Sequence, residues 1–468
     1  MSTNLYEVKK RLCYTAIEIC KKQGEYMKFT KMSLVAALLI GSSAFAIENT
    51  KVSGDAKLYY TTTDAKAGYA ALSGKDDLFS KDNSAADAAL SLNITTDLVK
   101  NDLVSISAGA GYTVLSTLGL ENNLVSNVWG SAHNATTGTG ASYGSPLGGA
   151  KVKNANWMTE AWVAATVGKT TAKLGRMQLD TPLVFTETWS IEKNTFEAAV
   201  VINQDIPDTT LVGAYVGNGN GTEALGENLN SNVNTLGLAA APVVNGSGKF
   251  ATYGTDGAYA VGIINNSFKP LTVQAWYFDL TRLADAYWLQ ADLKCQKIEG
   301  LVAGAQYASV EVKSGNSLGI TNTDDSSTYA LMLGYEVKDL VTIKVAYSSV
   351  DDDGVLGAAN TATSTGNSKL YTEAWWNYGK VTQLDTDAYK VSITSPVQGM
   401  FDLGLYYTDA DQGEKFGDND LTEAAVTASK SFGPLDATLA YIYADIKTAT
   451  AGDDETSNMI QAYLTLNF

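Results

Sequence analysis

Hydrophobic residues in this chain fall on alternate positions, in short runs spread along nearly its whole length. Val52, Gly54, Ala56, Leu58 and Tyr60 form one face of such a run, and Ser53, Asp55 and Lys57 form the other. A period of two predicts β-strands. The pattern returns at Ala88 to Ile94, Val104 to Tyr112, Trp157 to Val167 and Phe196 to Ile202. It continues at Leu301 to Tyr307, Val341 to Tyr347 and Leu439 to Tyr443. The last ten residues, MIQAYLTLNF, place Ile460, Ala462, Leu464, Leu466 and Phe468 on one face and Gln461, Tyr463, Thr465 and Asn467 on the other.

The connections between runs are alternately short and long. Short ones fall at 98–101, 168–171, 204–209, 267–271, 295–300, 336–340, 395–402 and 430–435, several with Lys or Gly followed closely by Leu, as in Lys338-Asp339-Leu340 and Gly433-Pro434-Leu435. These read as hairpin turns. Long polar stretches lie at 61–86, 116–155, 179–195, 218–254, 311–326 and 350–384. Short turns on one side and long loops on the other is the layout of a transmembrane antiparallel β-barrel with periplasmic turns and extracellular loops. With both termini on the short-turn side, the turns predict an all-β fold of about 18 strands, an even number as closure requires. Segments 234–241 and 370–378 remain ambiguous. A barrel of this size encloses an aqueous channel. A secreted soluble all-β surface or binding protein would also alternate, and is the alternative reading.

The N-terminal part divides in two. Residues 27–46 carry a basic start, an apolar stretch and Ala44-Phe45-Ala46, which predicts an export signal. Residues 1–26 precede it and are expected to be a non-native extension from a misplaced start, leaving 47–468 as one barrel domain. The formal net charge is −17. That balance excludes nucleic acid as a partner and favours attraction of cations.

Parity assigns Asp55, Lys57, Glu160, Lys173, Glu197, Asp292, Lys294, Lys344 and Glu423 to the lumen. Arg176 shares parity with the outward Ala172 and Leu174, and a bulge at Gly175 would re-aim it into the pore-lining set. Tyrosines at inferred strand ends, among them Tyr60, Tyr112, Tyr307, Tyr335, Tyr347, Tyr407 and Tyr443, predict aromatic girdles at the membrane interfaces.

Three stretches resemble the major outer-membrane porins of Campylobacter-type bacteria, which are related to the OprD-like channels. They are Leu174 to Leu183 (LGRMQLDTPL) with Asn194 to Val201, Ile206 to Val212, and Gln274 to Tyr277 with Ala284 to Gln290. The resemblance implies an 18-stranded, commonly trimeric barrel passing ions and small hydrophilic solutes through a constriction made by an infolded loop. It points to 179–195 as that loop, with Asp180, Phe185, Glu187, Trp189, Glu192 and Lys193. The terminal strand, with Tyr463, Leu464, Leu466 and Phe468, resembles the assembly signal of outer-membrane barrels. Barrel-assembly machinery, membrane lipid and lipopolysaccharide are therefore the expected partners. Only Arg11, Arg176 and Arg282 are arginines. An arginine ladder for anionic carboxylates is missing, so mild cation preference is expected.

Catalysis has little to stand on. His133, in a Gly/Thr-rich loop, is the single histidine, so an outer-membrane hydrolase is a distant alternative. His133 and Cys295 do not make a zinc site, and no cofactor is expected. Acidic clusters at Asp324-Asp325, Asp351 to Asp353, Asp409 with Asp411, Asp418 with Asp420, and Asp453 to Glu455 offer oxygens to Ca²⁺, yet none has the spacing of a specified calcium loop. Solvated loop charges are the simpler reading.

Overall fold

The structure, a computed structural model, describes residues 48–64, 78–80, 84–115, 127–128, 155–188, 193–220, 232–233, 244–245, 250–253, 256–316, 319–355, 357–362, 366–447 and 455–468. The expected extension 1–26 and signal 27–46, together with His133, Trp189, Glu192, Asp453 and Asp454, lie outside these residues.

Eighteen long strands make one closed antiparallel barrel. In chain order they are β1 (Glu48–Thr63), β2 (Ser84–Lys100), β3 (Ser105–Leu115), β4 (Ala155–Val167), β5 (Thr170–Met177) and β6 (Phe196–Asn203). Then come β7 (Thr209–Gly219), β8 (Ala258–Asn265), β9 (Leu271–Leu280), β10 (Ala284–Lys294), β11 (Leu301–Val312) and β12 (Asp325–Val337). The last six are β13 (Val341–Val350), β14 (Thr386–Val397), β15 (Phe401–Gln412), β16 (Leu421–Phe432), β17 (Leu435–Ile446) and β18 (Glu455–Asn467). The soluble alternative gives way to this closed wall, in which each strand pairs with its neighbours in sequence and β18 returns to β1.

The eight short turns fall where turn chemistry puts them. Asp339, with φ 58°, lets Leu340 N–H reach the Val337 carbonyl at 3.0 Å. Gly300, with φ 84°, brings its backbone so near Glu336 that a Cβ would stand 2.3 Å from that carbonyl oxygen. Only glycine fits there without strain.

The seam is antiparallel: Lys57 pairs with Thr465, Tyr59 with Tyr463 and Thr61 with Gln461. Gly54 and Phe468 exchange backbone hydrogen bonds of 2.7 and 3.0 Å. Leu464, Leu466 and Phe468 face outward and are exposed, whereas Gln461 and Tyr59 are buried on the inner side. The Tyr59 and Tyr463 rings lie 4.7 Å apart.

Outward positions carry Leu, Val, Ile and Tyr, as lipid contact requires. Inward positions are not uniformly polar. Phe196, Val216, Phe278 and Trp288 point inward and are almost wholly buried. Something apolar fills the barrel beside them.

Candidate pore constriction

Two loops occupy the lumen. The first follows β5, and its run Leu179-Asp180-Thr181-Pro182-Leu183-Val184-Phe185 is too apolar to stay in water. Leu183, Val184 and Phe185 are 2 to 6% exposed. Leu183 and Val184 join the inner-face cluster that includes Phe196, Val216, Phe278 and Trp288. Burial of each such side chain contributes about 1.5–3 kcal/mol. A tight turn shapes the tip, in which Thr181 N–H and hydroxyl both donate to the Val184 carbonyl and Thr186 N–H reaches Leu179 at 2.8 Å.

The second loop, 351–385, joins β13 to β14 and also folds inward. Its Asn360 side chain accepts from Phe185 N–H at 3.2 Å and donates to the Phe185 carbonyl at 3.0 Å and the Glu187 carboxylate at 2.8 Å. Thr361 N–H and hydroxyl both donate to the Leu183 carbonyl at 2.9 Å. Lys369 forms an ion pair with Asp180. The two loops are one unit.

The wall holds that unit at several points. Gln306 donates to the Lys369 carbonyl at 2.8 Å, and Tyr371 donates its hydroxyl to Asp292 at 2.6 Å. Tyr371 lies over Gly304, where a Cβ would come within 2.3 Å of the phenol oxygen. Glu423, 1% exposed on β16, accepts from the N–H groups of Trp375 at 2.6 Å, Trp376 at 3.1 Å and Asn377 at 2.8 Å. A wall carboxylate thus plays the part of an anion seated in backbone N–H groups. Lys390 of β14 donates to the backbone carbonyl of Glu373.

Burial pushes the Glu373 carboxyl up to about 7, against the opposing effects of the Ser368 hydroxyl, the Gly379 N–H and the Lys390 charge. Burial likewise raises the Tyr378 phenol and, with the Asp292 hydrogen bond, the Tyr371 phenol.

Across the first loop's base, Glu160 receives Gln178 at 2.7 Å, Lys193 at 3.1 Å and Trp162 Nε1 at 3.2 Å. The Lys173 ammonium stands 4.1 Å from the centre of the Trp162 ring, a cation–π contact. Asp180 is open to the lumen, but Glu187 is buried against Asn360. Asp55 and Lys57 lie 3.6 Å apart on β1, and Lys294 lies 3.8 Å from Glu336. Lys344 shares the inner face with its cross-strand partners Gly334 and Ser392. Towards the short turns lies a recess of about 920 Å³, lined by Thr342, Thr394, Asp402, Tyr406 and Thr427 among others.

Glu197 and Arg176 depart from the expected pore lining. Phe196 and Ala198 are the buried, inward residues of β6, because the first loop packs on them, so Glu197 faces outward. Gly175 has φ 123°, yet the cross-strand register runs through it unbroken, so Arg176 keeps the outward parity of the exposed Leu174. There its guanidinium donates to Glu197 at 2.6 Å and to the Met158 carbonyl at 2.6 Å.

The second loop was not legible as a lumen element. Its signal was Leu370, Tyr371, Trp375, Trp376 and Tyr378, an aromatic density unsuited to a solvated loop. Of the acidic clusters, Asp351, Asp352 and Asp353 bring carboxylate oxygens within 4.8 Å of one another, with Lys415 Nζ 3.0 Å from Asp352. Lys447 lies 2.6 Å from Asp418 and 3.2 Å from Asp420. Lysines supply countercharge at both.

Residues 297–465 match the sequence profile of the Gram-negative porin family. The chain matches no curated protein significantly by sequence. Its fold is similar to that of Acinetobacter baumannii OccAB3, with 14% identity, 90% of this chain and 100% of that one covered, and a TM-score of 0.65. Pseudomonas aeruginosa OccK9 (OpdG) has 13% identity, coverage of 91% and 100%, and a TM-score of 0.66. Pseudomonas aeruginosa OpdK, crystallised with vanillate, has 13% identity, coverage of 90% and 100%, and a TM-score of 0.60. The chain is an outer-membrane β-barrel with the fold of the Occ channels and, over residues 297–465, the sequence pattern of Gram-negative porins.

Proposed function

We propose that the protein is a passive channel through which ions and small hydrophilic solutes cross the outer membrane, with a mild preference for cations. The observation that carries this reading is the pair of infolded loops, clamped to each other at Asn360 and to the wall at Glu423, inside a barrel wide enough to hold water. A loop held this firmly narrows the passage without plugging the whole cross-section. Charges beside a low-dielectric wall then act on ions in the narrowed part.

Selectivity follows from the charges. The lumen carries Asp55, Glu160, Asp292, Asp402 and Glu423 opposite Lys57, Lys173, Lys294, Lys344 and Lys390, and at the constriction the exposed Asp180 is paired with Lys369, so the wall is near balance and the preference rests on the acidic chain as a whole. Vanillate, crystallised with OpdK, is a carboxylate. With three arginines in the whole chain and a net charge of −17, such anions are not the solutes favoured here. The same reading takes the protein as a homotrimer in contact with lipid and lipopolysaccharide, inserted by the barrel-assembly machinery through its terminal Phe468 strand.

Reconstitution in a planar bilayer under a KCl gradient tests the proposal. Stepwise conductance with a reversal potential on the cation side is expected. No steps from correctly folded, heat-modifiable protein would overturn the channel reading, and an anion-side potential would overturn the selectivity.

A further inference from the structure

At the constriction the polar side chains are committed to one another. Glu160 receives Gln178, Lys193 and Trp162, Asp180 pairs with Lys369, and Glu187 accepts from Asn360. The recess of about 920 Å³ near the short turns is different. Cross-strand register sets Glu336, Thr342, Thr394, Gly404 and Thr427 side by side on the inner face of β12 to β16. Neighbouring strands stand about 4.7–4.9 Å apart, so the row presents polar groups on the scale of one small ring. Among the described residues, the side chains of Thr342, Thr394, Thr427 and Asp402 and the Tyr406 phenol make no hydrogen bond within the chain.

Gly404 gives the row its shape. A Cβ there would stand 2.7 Å from both Cε2 and the hydroxyl oxygen of Tyr406, so the phenol ring lies back along the wall over this glycine. Trp375 of the second loop leans on the same ring, with centroids 6.3 Å apart, and keeps it there. Asp402, the next inward position of β15 towards the turn, is exposed. Glu336, at the other end of the row, lies 3.8 Å from Lys294.

We infer that this recess is a binding subsite for a neutral pyranose sugar passing through the channel. The inference rests on the channel reading above and adds a solute class to it. Hydroxyls donate and accept alike, so Thr342 and Thr394 can meet sugar hydroxyls in either sense, and Asp402 accepts from others. A phenol ring laid along the wall offers its electron-rich face to the C–H face of a sugar ring. The volume falls within the range of about 300–1,000 Å³ usual for small-molecule sites. Charge decides against the alternatives. Asp402 and Glu336 repel an acid, while Lys344, one inward position further along β13, and Lys390, with Nζ 5.9 Å from the centre of the Tyr406 ring, oppose an organic cation.

The test records single channels of the full-length protein in KCl while glucose is titrated into both compartments. Sorbitol, an open-chain polyol with no ring face, is the control for viscosity. Glucose should lower the current along a saturating curve, and sorbitol along a straight line. Thr394→Val keeps the shape and removes one hydroxyl, so it should raise the half-saturating glucose concentration by roughly two- to tenfold. Tyr406→Ala removes the ring and should turn the glucose curve into the sorbitol line. Both variants are compared as heat-modifiable, folded protein. Absence of conductance steps in wild type would overturn the channel reading. Conducting channels with a straight glucose line, a sorbitol curve that saturates like that of glucose, or a glucose curve unchanged in both variants would overturn the sugar subsite alone.

Discussion

Asn360 and Phe185, 175 residues apart in the chain, are joined by two hydrogen bonds in which one amide side chain serves both the N–H and the carbonyl of one residue. This arrangement mimics a strand pairing and fixes one loop on the other. The same side chain also caps the Glu187 carboxylate.

Asn360→Ala therefore leaves the buried Phe185 N–H without its acceptor and takes one donor each from the Phe185 carbonyl and the Glu187 carboxylate. Leaving buried groups unsatisfied costs about 1–3 kcal/mol each before relaxation. The barrel wall is untouched, so heat-modifiable mobility should persist. Single-channel records should show larger open-state current noise than wild type, and an unchanged noise spectrum would remove the clamp.

Glu423 holds the second loop from the wall. Hydrogen bonds to a charged acceptor contribute about 1.5–3 kcal/mol each, and here three backbone N–H groups converge. Glu423→Ala should free the Trp375 to Asn377 segment and raise mean conductance by releasing the narrowing. Glu423→Gln, which keeps the shape and an acceptor oxygen, should fall between the two. Equal conductance in all three proteins would show that this segment does not narrow the pore.

A pH dependence follows from Glu373. Its carboxyl is raised from an ordinary 4.5 to about 7 by burial, so the folded loop prefers the protonated form. That contribution to loop stability is fully present below about 4.5 and is lost as pH rises through about 7. Lys390 is the charge that faces it from β14, with Glu423 of β16 acting on Lys390 in turn, and Lys390 bonds the Glu373 backbone rather than its carboxylate. Open-channel noise in a fixed KCl solution should rise between pH 5 and pH 8. Glu373→Gln should be quiet across the range, and a parallel rise in that variant would assign the effect to another group.

The barrel was legible because its determinants are local. A Lys-Asp-Leu or Gly-Pro-Leu turn is written in three residues, and the outward face of the closing strand follows from its alternation. The lumen was harder to read, since parity marks the outer face only where the inner one is polar. In β6 both faces carry apolar residues, because the first loop packs inside against Phe196 and Ala198. Parity alone therefore puts Glu197 on the wrong side of the wall. In β4 the register against β3 shifts between Gly111 and Tyr112, so the apparent run from Trp157 to Val167 is not one face. The seat of the second loop depends on Gln306, Asp292 and Glu423 on three separate strands, and no sequence spacing encodes their convergence.

At the seam, Gly54 admits the Phe468 ring. A Cβ on residue 54 would lie 2.6 Å from that ring and 2.4 Å from the Ser91 carbonyl oxygen. Gly54→Val should slow barrel closure and lower the yield of folded protein, as should deletion of Phe468, which removes two seam hydrogen bonds. Channels that do assemble should conduct like wild type. Reduced unit conductance at normal yield would point instead to a role in the pore.

Lys344 gives the sharpest test of selectivity, because its place does not depend on the loops. It stands on the inner face of β13 between Gly334 and Ser392, neither of which carries charge. Lys344→Glu changes the lumen by two charges and leaves the wall packing alone. At an effective dielectric constant of about 20, a unit charge acts on an ion 4 Å away with about 4 kcal/mol, and salt reduces this in a wet pore. The reversal potential under a KCl gradient should move further to the cation side, and the shift should shrink as total salt rises. A reversal potential that stays put at low salt would mean that ions pass Lys344 beyond the reach of its field, and would assign selectivity to Asp180 and the constriction alone.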